Sequence, residues 1–190
     1  MIITQSMSQR ATYKLFILIF LISQPFLLPA QFFAGITTNA GSNFERQGVN
    51  VYGIGLNIST GYSVNDWLET DIQAQHYWLS STSGKYLSSI SLNTKFIPFS
   101  STIKPYISLA GGIGKLYGKT LIFDGGSEPV QLEYDTWLLK PKIGIHADTG
   151  FLDGLEFDFG FFYELNKYQS ENLRINLFGA NLGLRYKFGK

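Results

Sequence analysis

From Phe32 onward, apolar and polar residues alternate with a period of two. The clearest stretch is Leu155–Asn166, LEFDFGFFYELN. Leu155, Phe157, Phe159, Phe161, Tyr163 and Leu165 fall on one face, and Glu156, Asp158, Gly160, Phe162, Glu164 and Asn166 on the other. A strand turns successive side chains to opposite faces, whereas a helix would mix these two sets. The pattern recurs over Val49–Tyr62, Trp67–Ser80, Leu87–Phe99, Trp137–Asp148 and the segment from Phe178 to Phe188. Two weaker segments, Phe32–Ala40 and the glycine-rich Lys104–Gly118, bring the expected number of strands to eight. Most are about ten residues or more, which suits a tilted crossing of a bilayer; about five or six is usual in a soluble sheet.

The connections alternate too. Ser63–Asp66, Ser100–Ile103 and Thr149–Asp153 are short. Asn39–Gly48, Ser80–Tyr86, Lys119–Glu133 and Tyr168–Asn172 are mostly longer and more polar. Short turns on one side and long loops on the other are what a transmembrane barrel shows. An N-terminus on the periplasmic side puts the short set there and the long set outside. Aromatic residues gather near the strand ends: Tyr62, Trp67, Phe96, Phe99, Tyr106, Tyr186 and Phe188 toward the short turns, and Tyr52, Trp78, Trp137 and Tyr163 toward the long loops. Two interfacial girdles are expected from them, because amphipathic rings settle at headgroup depth.

The first thirty residues read differently. A polar stretch with Arg10 and Lys14 leads into the apolar run Leu15–Leu28, followed by Pro29-Ala30. This is the order of a secretory signal, with cleavage expected after Ala30. The run is shorter than the roughly 20 residues that a membrane helix needs, and Pro25 interrupts it. The expected organisation is therefore a signal peptide over 1–30 and a β-barrel over 31–190. No later segment is long and apolar enough for a membrane helix, so a membrane protein built on this body must be a barrel.

Composition narrows the reading further. Charged residues make up 15% of the chain and aromatics 16%, against about 25% charged in ordinary soluble domains. Too few charges remain to dress a water-facing surface. The formal net charge is +1, and setting aside the two basic residues of the first thirty leaves 13 against 14 acids. Such a balance gives no basis for binding nucleic acid. With no cysteine, disulfides, thiolate metal sites and a lipoprotein anchor are excluded.

The interior of an eight-stranded barrel is just wide enough for side chains to fill it. The apolar face is thus expected outward, and the polar face inward. That interior would hold Glu69, Asp71, Lys95, Lys140, Lys142, His146, Asp148, Glu156, Asp158, Glu164, Arg185 and Lys187. Their signs alternate by strand, which favours pairs across the ladder. Folding the Ser80–Tyr86 loop about its middle sets Asp71 opposite Lys95, and Glu156 falls near Arg185. A closed ion-pair network is expected rather than a conducting path.

Candidate chemistry is sparse. His76 and Ser80 share a face but stand about 13 Å apart at strand rise, so a catalytic pair would need a serine from another strand. His146 shares a face with Asp148 and belongs to the interior set. Neither histidine has metal-ligand company, and no cofactor is expected. The Gly111–Gly114 cluster lacks the helix of a phosphate loop and reads as a site of strand bending. Asp124-Gly125-Gly126 and Glu128 read as a solvated loop that could touch a partner.

Lys104-Pro105-Tyr106 running into Ala110-Gly111-Gly112-Ile113-Gly114, and the ending Gly183-Leu184-Arg185-Tyr186-Lys187-Phe188, resemble the small outer-membrane β-barrel superfamily of OmpA-type transmembrane domains, OmpX and OmpW. The chain looks especially like the Bacteroidetes-type "porin family" proteins. The resemblance implies an all-β, eight-stranded antiparallel up-and-down barrel in the cell outer membrane, surrounded by outer-membrane lipid. It also implies that barrel-assembly machinery reads the closing aromatic, which Gly189 and Lys190 trail here. It does not imply an activity. Three roles stay open: a structural or loop-mediated interaction barrel with a possible extracellular partner, a narrow channel for small solutes, and a soluble periplasmic barrel of lipocalin type. An enzyme is not expected.

Overall fold

Eight antiparallel strands follow one another in chain order: β1 (Gln31–Ser42), β2 (Tyr52–Asn65), β3 (Leu68–Ser80), β4 (Lys85–Phe96), β5 (Ile103–Thr120), β6 (Val130–Asp148), β7 (Leu155–Tyr168) and β8 (Arg174–Lys187). The computed structural model describes residues 31–43, 51–80, 85–99, 101–120, 130–168 and 174–189. The signal peptide expected over 1–30, and Asp124–Gly126 and Glu128, lie outside the described residues. Each strand pairs with its neighbour in sequence, and β8 pairs back onto β1, so the sheet is a closed barrel. Closure leaves no unpaired edge, the condition for a sheet to stand in hydrocarbon.

The registers fix the barrel's shape. Partners can be followed from Gln31 through Ser63, Glu69, Lys95, Ser108, Lys142, Phe162 and Gly179 back to β1 at Gly41, ten residues further along. With eight strands, that stagger sets a tilt of about 40° and a backbone radius of about 8 Å.

Outward positions are apolar. Ile54, Ile58, Ile72, Ile90, Leu92, Ile113 and Ile143 each keep more than half of their surface exposed. A water-soluble chain rarely shows so continuous an apolar exterior; a bilayer covers it. At the end carrying the long connections, the interior is apolar as well. Tyr77, Leu79, Leu87, Leu116, Phe162 and Leu177 pack together there, with Val51 and Tyr134 against them.

The β5–β6 hairpin overshoots the rest. β6 begins at Val130, seven residues before the start expected at Trp137. Glu133 and Asp135 explain the difference: they take outward positions of the same parity as Trp137 and Leu139, and are polar. The strand continues while its outward face changes from lipid-facing to water-facing.

Where β8 closes onto β1, the two backbones come too near for a side chain. A Cβ at Gly183 would collide with the Ile36 carbonyl oxygen and with Thr37. Gly183→Ala is therefore expected to destabilise the seam by about 1–3 kcal/mol or more. Gly111, whose added Cβ would meet nothing within 4 Å, supplies the control. In refolding into micelles followed by heat-modifiable gel migration, Gly183→Ala should lose folded barrel and Gly111→Ala should not.

Candidate functional site

The polar face of the strands converges inside the barrel. Toward the short-turn end, Arg185 of β8 lies between two carboxylates. It reaches Glu69 of β3 across the barrel and Glu156 of the adjacent β7, at 2.5 Å each. Lys187 Nζ is 2.8 Å from the other Glu69 oxygen. Lys104 Nζ bonds Glu156 at 2.6 Å and approaches Asp148 at 3.4 Å. One layer further in, Asp158 accepts from Tyr106 at 2.5 Å and Lys142 at 3.1 Å. Lys95 lies 3.9 Å from both Glu69 and Asp71 and donates to His146 Nε2 at 3.3 Å. Gln73 and Asn93 complete the shell of Asp71, at 2.7 and 2.9 Å.

Toward the long-loop end a second, smaller group follows. Lys140 bonds Glu164 at 3.2 Å and Gln75 at 2.6 Å, and Gln75 donates to Glu164 at 3.0 Å. The Lys140 ammonium also sits over the Phe162 ring, 4.2 Å from its centroid, where the apolar plug begins. Between the two groups, Thr37, Asn57, Asn93 and Asn181 border a cavity of about 10 Å³, at or below the room one water needs. Six carboxylates and six cationic side chains thus neutralise one another among the described residues of the lumen. Exposure of most of them is below a tenth; Lys104 and Lys142 are slightly more open, and Asp148 is more than a third exposed at the rim.

Three points differ from the sequence reading. Tyr106 is not in the girdle: it is 1% exposed inside the barrel, on Asp158. Its even position lies opposite the outward Ile107 and Leu109, and nearness to a strand end does not outweigh that parity. Lys104, of the same parity, is an interior cation that the reading missed. Lys95 stands opposite Glu69 in register, while Asp71 stands opposite Asn93.

The other aromatics expected in the girdles face outward in two zones. At the short-turn end Trp67 packs edge-on against Phe96, and Phe188 against Tyr186 and Phe32; Tyr62 is outward there. Trp78, Trp137 and Tyr163 face outward in the long-loop half. Tyr86 and Tyr117, stacked at 4.8 Å, extend that zone.

His76 also faces outward. Its serine partner is Ser88 of β4, 2.8 Å from Nδ1, whereas Ser80 accepts from the backbone of Tyr52. Among the described residues His76 has no other hydrogen-bond partner, so no carboxylate orients it as a triad requires. The described residues contain no cluster of metal-ligating side chains.

No family model and no curated protein matches the sequence. Solved structures do match its fold. Neisserial surface protein A superimposes with a TM-score of 0.61 at 19% identity, covering 84% of this chain and 97% of that one. The N-terminal β-barrel domain of Pseudomonas aeruginosa OprF gives 0.48 at 15% identity, covering 84% and 99%. Ail, the attachment invasion locus protein of Yersinia pestis, gives 0.49 at 14% identity, covering 83% and 97%. The chain thus shares with Neisserial surface protein A the fold of a small closed antiparallel β-barrel.

Proposed function

We propose that this barrel is a closed scaffold whose working surface is its long connections. It serves a structural or interaction role at the outer face and does not pass solutes. The single observation that carries this reading is the occupied lumen. Paired charges fill the half at the short turns, and Tyr77, Leu79, Leu87, Leu116, Phe162 and Leu177 fill the other. An ion entering would have to break buried pairs and then cross an apolar layer, and both steps are costly. The lipocalin alternative needs an open apolar cavity inside and a polar exterior, whereas here the interior is filled and the exterior is apolar. What remains available to a partner is the overshooting β5–β6 hairpin and the connections beside it.

Single-channel recording of the purified monomer in planar bilayers tests the reading. No stable open state is expected. Sustained, reproducible conductance would overturn it and favour the narrow-channel alternative. A chain in which residues 121–129 are replaced by a short turn should still fold, because it keeps the whole β5–β6 pairing up to Thr120 and Val130. It should lose any partner that binds the wild type at that loop.

A further inference from the structure

Proline is rare inside a paired strand, because it has no N–H to give the ladder. Pro141 nonetheless stands well inside β6, with β5 on one side and β7 on the other. On the β5 side the register runs unbroken through Leu109↔Pro141. On the β7 side it runs to Leu139↔Leu165, omits Lys140 and Pro141, and resumes at Lys142↔Phe162. The missing donor therefore belongs to the β7 side, and the Tyr163 carbonyl opposite goes without it. Among the described residues no other seam is interrupted within the span. The one other irregularity, between Ser63 and Asn65, lies at a short turn.

Side chains inside the barrel cross this seam at the same height. Lys140 of β6 and Glu164 of β7 face each other at the gap and pair at 3.2 Å. Gln75 reaches across the lumen to both, accepting from Lys140 at 2.6 Å and donating to Glu164 at 3.0 Å. Lys142 spans the same two strands to Asp158 at 3.1 Å. Outside, a groove of about 730 Å³ lies over the gap, lined by Pro141, Ile143, Phe161 and Tyr163. Its lining also includes Lys142 and Phe162, whose side chains belong to the lumen.

We propose that the β6–β7 seam at Pro141 is a hinge line, where the wall parts before any other seam, and that Lys140, Glu164 and Gln75 form the clasp that holds it shut. A closed barrel offers no edge at which to open, so the omitted bond decides where opening starts. Hydrocarbon supplies no donor for the carbonyl left over. The ion pair and its shared amide return, through side chains, the cross-strand attraction that the backbone lacks there. The clasp also fixes the Lys140 ammonium over the Phe162 ring, which ties the seam to the apolar plug. The proposal concerns where the wall yields and is independent of whether the lumen conducts at rest.

Amide hydrogen exchange of the folded barrel in micelles, followed residue by residue by NMR, tests it. The N–H groups of Phe161, Tyr163 and Leu165 have the parity that faces Pro141 and point to β6. Those of Gly160, Phe162 and Glu164 point to β8, where the register is continuous. The first set should be about fivefold less protected than the second, the worth of one ladder hydrogen bond. Pro141→Ala, which returns the missing N–H, should bring the two sets together. Lys140→Met should lower the protection of the first set by about a further fivefold relative to the second. Should Lys140→Met fail to fold, Glu164→Gln, which keeps an oxygen for Gln75, gives the same comparison. Equal protection of the two sets in the wild type, a difference that persists in Pro141→Ala, or a clasp variant that exposes both sets alike would overturn the proposal.

Discussion

Replacing Arg185 with methionine is expected to cost about 3–5 kcal/mol, the penalty for stranding a buried charge. The guanidinium is 3% exposed and holds Glu69 and Glu156, both fully buried. Without it, Glu69 keeps Lys187 at 2.8 Å and the more distant Lys95, and Glu156 keeps Lys104. Each carboxylate loses its shortest partner, and no water layer is at hand to replace it. Urea unfolding from lipid vesicles, followed through the outward Trp67, Trp78 and Trp137, reads the loss. Two further chains separate charge from packing. Lys115→Met removes an exposed ion pair and should cost no more than about 1 kcal/mol. Glu156→Gln on the Arg185→Met background restores five carboxylates to five cations, with Lys104 still beside Asp148, and should recover part of the stability. A cost below that of Lys115→Met would mean that the lumen is wet, and the closed-scaffold reading would fall with it.

The same network shows what could be read from the chain and what could not. The barrel and its eight strands follow from alternation, and β7 alone states both faces: six aromatic or leucine side chains against two glutamates and an aspartate. Registers across long connections do not follow. Folding β3 onto β4 about residue 83 sets Asp71 opposite Lys95. The hairpin is in fact folded about residue 82, since Leu79 pairs with Lys85, and that one-residue difference moves the partner by two, to Glu69. Parity survives such an error, because a shift by two keeps every side chain on its own face. For that reason the interior set could be read while its pairs could not. In β5 the signal was present but diluted: Gly111, Gly112 and Gly114 break the alternation, and only Ile107, Leu109 and Ile113 show which parity faces out. Contacts across the lumen, such as Arg185 with Glu69, depend on the ten-residue stagger, which no local pattern encodes. The His76–Ser88 pair is a related case. Two residues twelve apart meet only because the β3–β4 register places them opposite each other.

Leu92→Arg carries the second large expected effect, and it tests the orientation of the whole sheet. Leu92 points outward from β4, midway between the two aromatic zones, with 59% of its surface exposed. In water an exposed leucine can usually be replaced within about ±0.5 kcal/mol. At the midplane of a bilayer an arginine costs about 2–4 kcal/mol. The same substitution thus separates the two environments by several-fold, and the neighbouring inward position gives the contrast. Asn93 lies in the charged lumen on Asp71, and Asn93→Asp there would add a carboxylate beside one already held, a like-charge penalty that does not depend on lipid. Unfolding both variants from vesicles and from micelles is expected to show a larger loss for Leu92→Arg in the bilayer than in detergent, whose thinner, softer layer lets an arginine reach water. For Asn93→Asp the loss should be the same in both. If Leu92→Arg proved neutral in vesicles, hydrocarbon would not be what covers the isoleucines and leucines of the outer face. The barrel would then have to hide that face against protein.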